Sequence, residues 1–245
     1  MMSRIWPIGV AVITDSLRRK VVYVVLAFAA MLALAIPSLP DYGLGVEGAV
    51  FREVALALVY VTGLVIALSL AANRIPAEFE RRTVYNVLAK GVSRWEYLVG
   101  TWLGIFCVMA GTIAAFTVVE QVVGVVTYGD PMWQLWQGSL AVLLEMGVVT
   151  AFAASVSTMA GPVVVVTATL AVVFAGHSRS TLVGGEGALA LSPFYPSFDA
   201  FNVVNPVAHG SGVPMLYLLS MIVVFVGFVG LFLSVGVLIL SRKDL

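Results

Sequence analysis

Residues 214–240 carry no charged side chain, and most of them are Val, Leu, Ile, Phe, Met or Gly. A run of this kind is long enough to cross the roughly 30 Å hydrocarbon layer of a bilayer as a helix. It recurs along the chain, so the chain has to fold in lipid. The composition agrees: 61% of the 245 residues are hydrophobic and 11% are charged, where a soluble domain averages about 25% charged residues. The runs are continuously apolar, whereas barrel strands alternate over short segments, so helices are expected.

Six spans are expected, at 21–39, 50–73, 97–125, 135–157, 161–176 and 214–240. Pro162 suits the first turn of the fifth, where a missing N–H costs nothing. Lys and Arg set the orientation. With the N-terminus inside, the inner side holds Arg4, Arg18, Arg19, Lys20, Arg74, Arg81, Arg82, Lys90, Arg94, Arg242 and Lys243, leaving Arg52 and Arg179 outside. The expectation is a single all-α integral membrane domain over 1–245. It is multi-pass in the cell (inner or plasma) membrane, with both termini cytoplasmic. The N-terminus lacks a short apolar stretch ending in a cleavage site and reads as mature sequence. No internal repeat of fixed period is visible.

Residues 3–20 place Trp6, Val10, Ile13 and Leu17 on one helical face, with Asp15, Arg18, Arg19 and Lys20 toward the end. This reads as an amphipathic helix in the inner interface, with Pro7 near its first turn. The alternative is a plain basic leader, and Trp6 favours the interface. Residues 177–213 are too polar and too broken by Pro and Gly to span. They are also too aromatic, at Phe194, Tyr195, Phe198 and Phe201, for a solvated loop. Short helices tucked against the outer side of the bundle are expected there.

Several chemistries are absent. None of the three lysines sits in a GxxxxGK[ST] phosphate loop. His177 and His209 lack the Cys or paired carboxylates of a metal site, and helix ends suit them better; no metal is expected. No Ser/His/Asp or HExxH arrangement is readable, so no catalytic residue is assigned and the chain alone is not expected to be an enzyme. The balance of 13 basic and 13 acidic residues argues against nucleic acid. Cys107 is the lone cysteine and has no intrachain partner. Glu145 falls near the middle of the fourth span and Glu120 near the outer end of the third. Carboxyls in lipid face protein or a water path. Glu145 therefore serves either a translocation path or a proton-linked step, or else is a protonated carboxyl or one hydrogen-bonded to a neighbouring helix, while Glu120 is expected to reach the outer interface and be solvated.

The most charged stretch is AEFERRTVYNVLAKGVSRWEYLVG, residues 77–100. Its first half, 77–90, reads as a short helix opened by Pro76 and ended by Gly91. Phe79, Val84, Val87 and Leu88 fall on one side, and Glu78, Arg81, Arg82 and Asn86 on the other. Glu78 and Glu80 suit the positive end of the helix dipole. Arg94, Trp95 and Tyr97 then mark re-entry through the headgroup zone. Such a helix either rests on lipid or fills a groove in a partner. Passive interfacial helices carry a basic polar face, and the mixed signs here favour the partner.

This stretch resembles the ABC-2-type permeases, whose common form is close to E-x-E-x-G-T-x-x-x-L-L-x-x-P-x-S-R. Glu78, Glu80, Thr83, Leu88, Ser93 and Arg94 match; Arg82 stands where Gly is frequent and Gly91 where Pro is frequent. Residues 6–20 resemble the family's interfacial helix, YPSFDAFNVVNPVAHG the segment before its last span, and Arg242, Lys243 and Asp244 its closing residues. The similarity runs the whole length, notably to the subgroup that includes nitrous-oxide-reductase maturation permeases. It implies a type V exporter-like fold and the membrane subunit of an ABC exporter. The implied partners are two separate ATPase subunits, a second permease copy or a related permease, and membrane lipid. The chain itself would hold no cofactor, with ATP and Mg on the ATPases. Residues 77–90 would be the coupling helix, with Glu78, Phe79, Glu80, Arg81, Thr83 and Leu88 as ATPase contacts. Residues 182–209 would form a lid at the dimer interface. Two other functions fit the sequence: an ATPase-coupled sensory or assembly protein that moves no substrate, and an ion-coupled secondary transporter using Glu145.

Overall fold

In a computed structural model the described residues are 2–18, 21–35, 46–80, 91–178 and 197–242; side chains are described for most of these but not for Phe79 and Glu80. The helices are α1 (Met2–Arg18), α2 (Val21–Ala35), α3 (Glu47–Glu80), α4 (Arg94–Tyr128), α5 (Leu135–Ser157), α6 (Pro162–His177), α7 (Val204–Ala208) and α8 (Met215–Ser241), with a 3-10 turn at Phe198–Phe201 before α7. No strand occurs among the described residues. Many of the helical residues are Val, a mediocre helix former in water. In lipid the backbone has no other hydrogen-bond partner, and the helix follows.

Four helices, α3, α4, α5 and α8, are long and apolar enough to cross a membrane. This is the architecture of a helical integral membrane protein. Helices α2 and α6 are apolar but shorter, at 15 and 16 residues. Residues 36–39 of the expected first span lie outside the described residues. Pro162 stands in the first turn of α6, after Gly161. Val118, Val122, Val126, Val163, Phe174, Leu216, Val223 and Leu238 point outward, a surface that lipid covers and water would not.

Helix α5 is the centre of the bundle and packs on α3, α4, α6 and α8. Its ties to three of these use polar atoms inside the apolar layer. The Trp102 indole N–H donates to the Gly147 carbonyl at 3.1 Å. Ser155 Oγ donates to the Phe232 carbonyl at 2.6 Å, and Ser157 Oγ to the Ala71 carbonyl at 3.1 Å. With no water to compete, such bonds choose which faces meet.

Two expectations are corrected at the ends of helices. The second span and the 77–90 helix do not begin separately: α3 runs without a break through Pro76 to Glu80. Proline removes one hydrogen bond, that of the Ala72 carbonyl. This happens in the last turns of the described helix, where few further hydrogen bonds depend on it. Likewise α1 starts at Met2, which puts Pro7 inside it. Its Trp6 and Val10 are exposed, as an interfacial face requires, but a different stripe, Gly9, Val12 and Ser16, is buried. That stripe lies on α4, where Gly9, Gly100 and Gly104 let the two backbones approach closely.

A Cβ on Gly104 would stand 2.5 Å from Val12 Cβ and 2.8 Å from the Gly9 carbonyl. Gly104→Ala is therefore expected to lift α1 and to lower stability by about 1–3 kcal/mol, as overpacking does. Gly111→Ala, about two turns away with open space around it, is the control and should be neutral or slightly stabilising. Thermal unfolding of both variants in detergent checks this.

Candidate functional site

Two polar clusters stand out of the apolar bundle. The first joins α1, α3 and α4 around the charged stretch that begins at residue 77. Arg74 Nη1 donates to Asp15 Oδ2 at 3.0 Å. Its Nε lies 3.2 Å from Glu78 Oε1, an ion pair without hydrogen-bond alignment. Tyr97 O–H donates to Glu78 Oε2 at 2.6 Å. Next to it, Ser93 caps α4: its N–H and its hydroxyl both donate to Glu96 Oε2, at 2.8 and 2.7 Å. Arg94 donates to the Leu240 carbonyl and ties in the end of α8. Gly91, before this cap, has φ 76°, the left-handed region glycine enters without strain. Glu78 is thus held between Arg74 and Tyr97. Tyr97 is buried against the neighbouring helices, and its hydroxyl has a carboxylate to meet. Phe79 and Glu80 continue α3; Arg81, Thr83 and Leu88 lie outside the described residues.

The opposite end has its own clamp. Arg52 lies 3.2 Å from Asp130 and donates to the Ala208 carbonyl at 3.0 Å. Gln137 bonds the Val213 backbone through both amide atoms. Arg52 and Arg74 sit on one helix, about 33 Å apart at 1.5 Å per residue. That spacing matches the hydrocarbon thickness of an ordinary bilayer.

The second cluster lies between these ends. Glu145 on α5 is 3% exposed. Tyr60 O–H, from α3, donates to its Oε1 at 2.9 Å. His177 Nε2, at the end of α6, lies 3.6 Å from the same oxygen. The Tyr60 and His177 rings meet edge to face at 5.5 Å, and Phe198 packs on the far side of the imidazole at 5.6 Å. Three carriers of exchangeable protons from three helices therefore converge on one carboxyl oxygen. Glu145 was legible in the sequence as an in-span carboxyl, but Tyr60 and His177 were not. The available signal was a tyrosine in mid-span and a histidine closing a helix too short to reach as far as its neighbours.

Glu120 corrects another expectation. It is 0% exposed, not solvated. Its Oε2 has Ser139 Oγ at 3.4 Å, and its Oε1 has no hydrogen-bond partner. His209 follows α7 as its cap, at a helix end as expected. Among the described residues no group of His, Cys, Asp and Glu could hold a metal.

No protein-family model matches the sequence, and a search of characterised proteins finds no significant match. The class that the fold defines is a helical integral membrane protein with a polar clamp at each end and a buried carboxyl cluster between them.

Tyr97→Phe removes the hydroxyl that meets Glu78 and leaves Arg74 in place. The expected cost is about 1.5–3 kcal/mol, the range for a hydrogen bond to a charged group. In a double-mutant cycle with Glu78→Gln the two losses should be less than additive. Chemical denaturation in mild detergent reads both.

Proposed function

We propose that the chain is the membrane-spanning subunit of an ATP-driven transporter of the ABC-2 type, an exporter that works with two separate ATPase subunits and a second permease. The resemblance at Glu78, Glu80, Thr83, Leu88, Ser93 and Arg94 supports this reading. The observation that carries it is the continuity of α3 from Glu47 through Pro76 to Glu80. A coupling segment joined to a span by a flexible loop would dissipate a push from outside. Here residues 77–80 belong to the same rigid rod as Tyr60.

In this reading the ATPases move residues 77–90 from the cytoplasmic side. Glu78, Phe79, Glu80, Arg81, Thr83 and Leu88 make the contact. The Arg74, Asp15, Glu78 and Tyr97 clamp makes α1 and α4 follow α3. The Ser157 bond to the Ala71 carbonyl passes the movement to α5, and so to Glu145 on the translocation path. Both termini are cytoplasmic, as the positive-inside rule requires.

The test is Phe79→Ala combined with Arg81→Glu, followed by copurification with the ATPase encoded beside the gene. Loss of the apolar anchor and reversal of one charge should weaken the complex at least about tenfold, the equivalent of about 1.4 kcal/mol. Undiminished complex with unchanged ATPase stimulation would overturn the reading.

A further inference from the structure

The hydrogen-bond arithmetic around Glu145 does not close without an added proton. His177 Nδ1 lies 3.2 Å from the Val173 carbonyl, one turn back on α6. A carbonyl oxygen only accepts, so this contact places a proton on Nδ1. In a neutral imidazole Nε2 is then a bare acceptor. Nε2 faces Glu145 Oε1 at 3.6 Å. That distance is too long for a directed hydrogen bond and within reach of charge. An ionised carboxylate and an imidazole lone pair facing each other repel, most strongly on the side where Glu145 is buried.

One proton reverses the sign. On the carboxyl it makes Glu145 neutral and turns the O–H toward Nε2. On the imidazole it makes an ion pair. In both forms Tyr60 O–H still donates to Oε1. Tyr60 and Glu145 alone already join α3 to α5. The histidine adds nothing to that tie unless it brings charge or takes a proton.

The surroundings offer no substitute. Among the described residues, Tyr60 from α3 and His177 from α6 are the titratable groups in polar contact with Glu145. The 3-10 turn contributes the Phe198 ring, and its Asp199 is exposed. His209, after α7, is also exposed. Helices α4 and α8 contribute no ion pair to the cluster, and the carboxyl of Glu120 on α4 meets Ser139 instead. His177 is the open member of the three, with its side chain 39% exposed against 5% for Glu145.

We propose that Tyr60, Glu145 and His177 form a proton-binding site inside the membrane layer, in which Glu145 and His177 share one proton that enters and leaves through His177. The bound proton holds the end of α6 against α3 and α5. Its release frees that end, because the two acceptors then repel. The site needs no ATPase and goes beyond the transporter reading.

The experiment uses the full chain in nanodiscs of phosphatidylcholine and phosphatidylglycerol. Infrared difference spectra are taken between about pH 5 and about pH 8, either side of the ordinary imidazole range, in light and heavy water. The native chain should give pH-dependent bands from carboxyl and imidazole. Glu145→Gln and His177→Gln should each abolish the same set, carboxyl and imidazole bands together, because the proton belongs to the pair. Tyr60→Phe should keep the set and displace the carboxyl bands. Circular dichroism verifies that each variant is folded. If one of the two Gln variants does not fold, the other decides, since it must remove its partner's bands as well as its own. All chains carry His209→Gln, so that the exposed second imidazole adds no band; carboxyl bands that survive His177→Gln, or imidazole bands that survive Glu145→Gln, overturn the proposal. A merely structural role for His177 would leave the carboxyl bands in place. The ATPase copurification and this titration have separate readouts, so failure of one leaves the other standing.

Discussion

Hydrocarbon accepts no hydrogen bonds, and everything polar in this bundle is arranged around that fact. Helix α5 meets the constraint for its neighbours as well as for itself. Its Gly147 carbonyl takes the indole of α4, its Ser155 and Ser157 reach carbonyls on α8 and α3, and its Glu145 takes the hydroxyl of Tyr60. Packing of Val against Leu is nearly indifferent to rotation when the solvent is itself apolar. These few bonds are not indifferent. They fix which face of α5 meets which helix, and the large apolar side chains fill the space that remains.

The same constraint explains why the charged residues gather where they do. Arg52 and Arg74 are each mostly covered, yet each stands at an end of the bundle with a carboxylate beside it. Between them the described spans bury two carboxyls, Glu120 and Glu145, and the contrast between those two is informative. Glu145 has a hydroxyl donor and an imidazole. Glu120 has one serine at the limit of hydrogen-bond distance and an oxygen with nothing. A chain could more cheaply have placed an apolar residue at either position, so the polar clusters serve something other than stability.

Much of the fold was legible because composition alone dictates it. The apolar runs mark α4, α5 and α8 to within a few residues and the start of α3, and Pro162 marks the start of α6. Features that depend on a partner elsewhere in the chain were not legible. The stripe of α1 that reads as amphipathic, Trp6 and Val10, faces outward, while the stripe that docks looks unremarkable until Gly100 and Gly104 stand opposite it. Tyr97 looks like an interface aromatic because its partner, Glu78, lies 19 residues back in the sequence. The site is divided in the same way. Glu145 announces itself by being charged in an apolar run, but residues 60, 145 and 177 share no local pattern, and only the packing of α3, α5 and α6 brings them together.

The two arginines of α3 also make that helix a gauge of the bilayer. Their separation of about 33 Å suits an ordinary hydrocarbon layer when the helix stands nearly upright. A thinner membrane leaves the helix no way to shorten, so it has to lean. The stub beyond Arg74 continues the same helix, and leaning carries it sideways. Bilayer thickness thereby sets the angle at which Phe79 and Glu80 emerge, and lipid composition becomes a mechanical input to whatever grips that end.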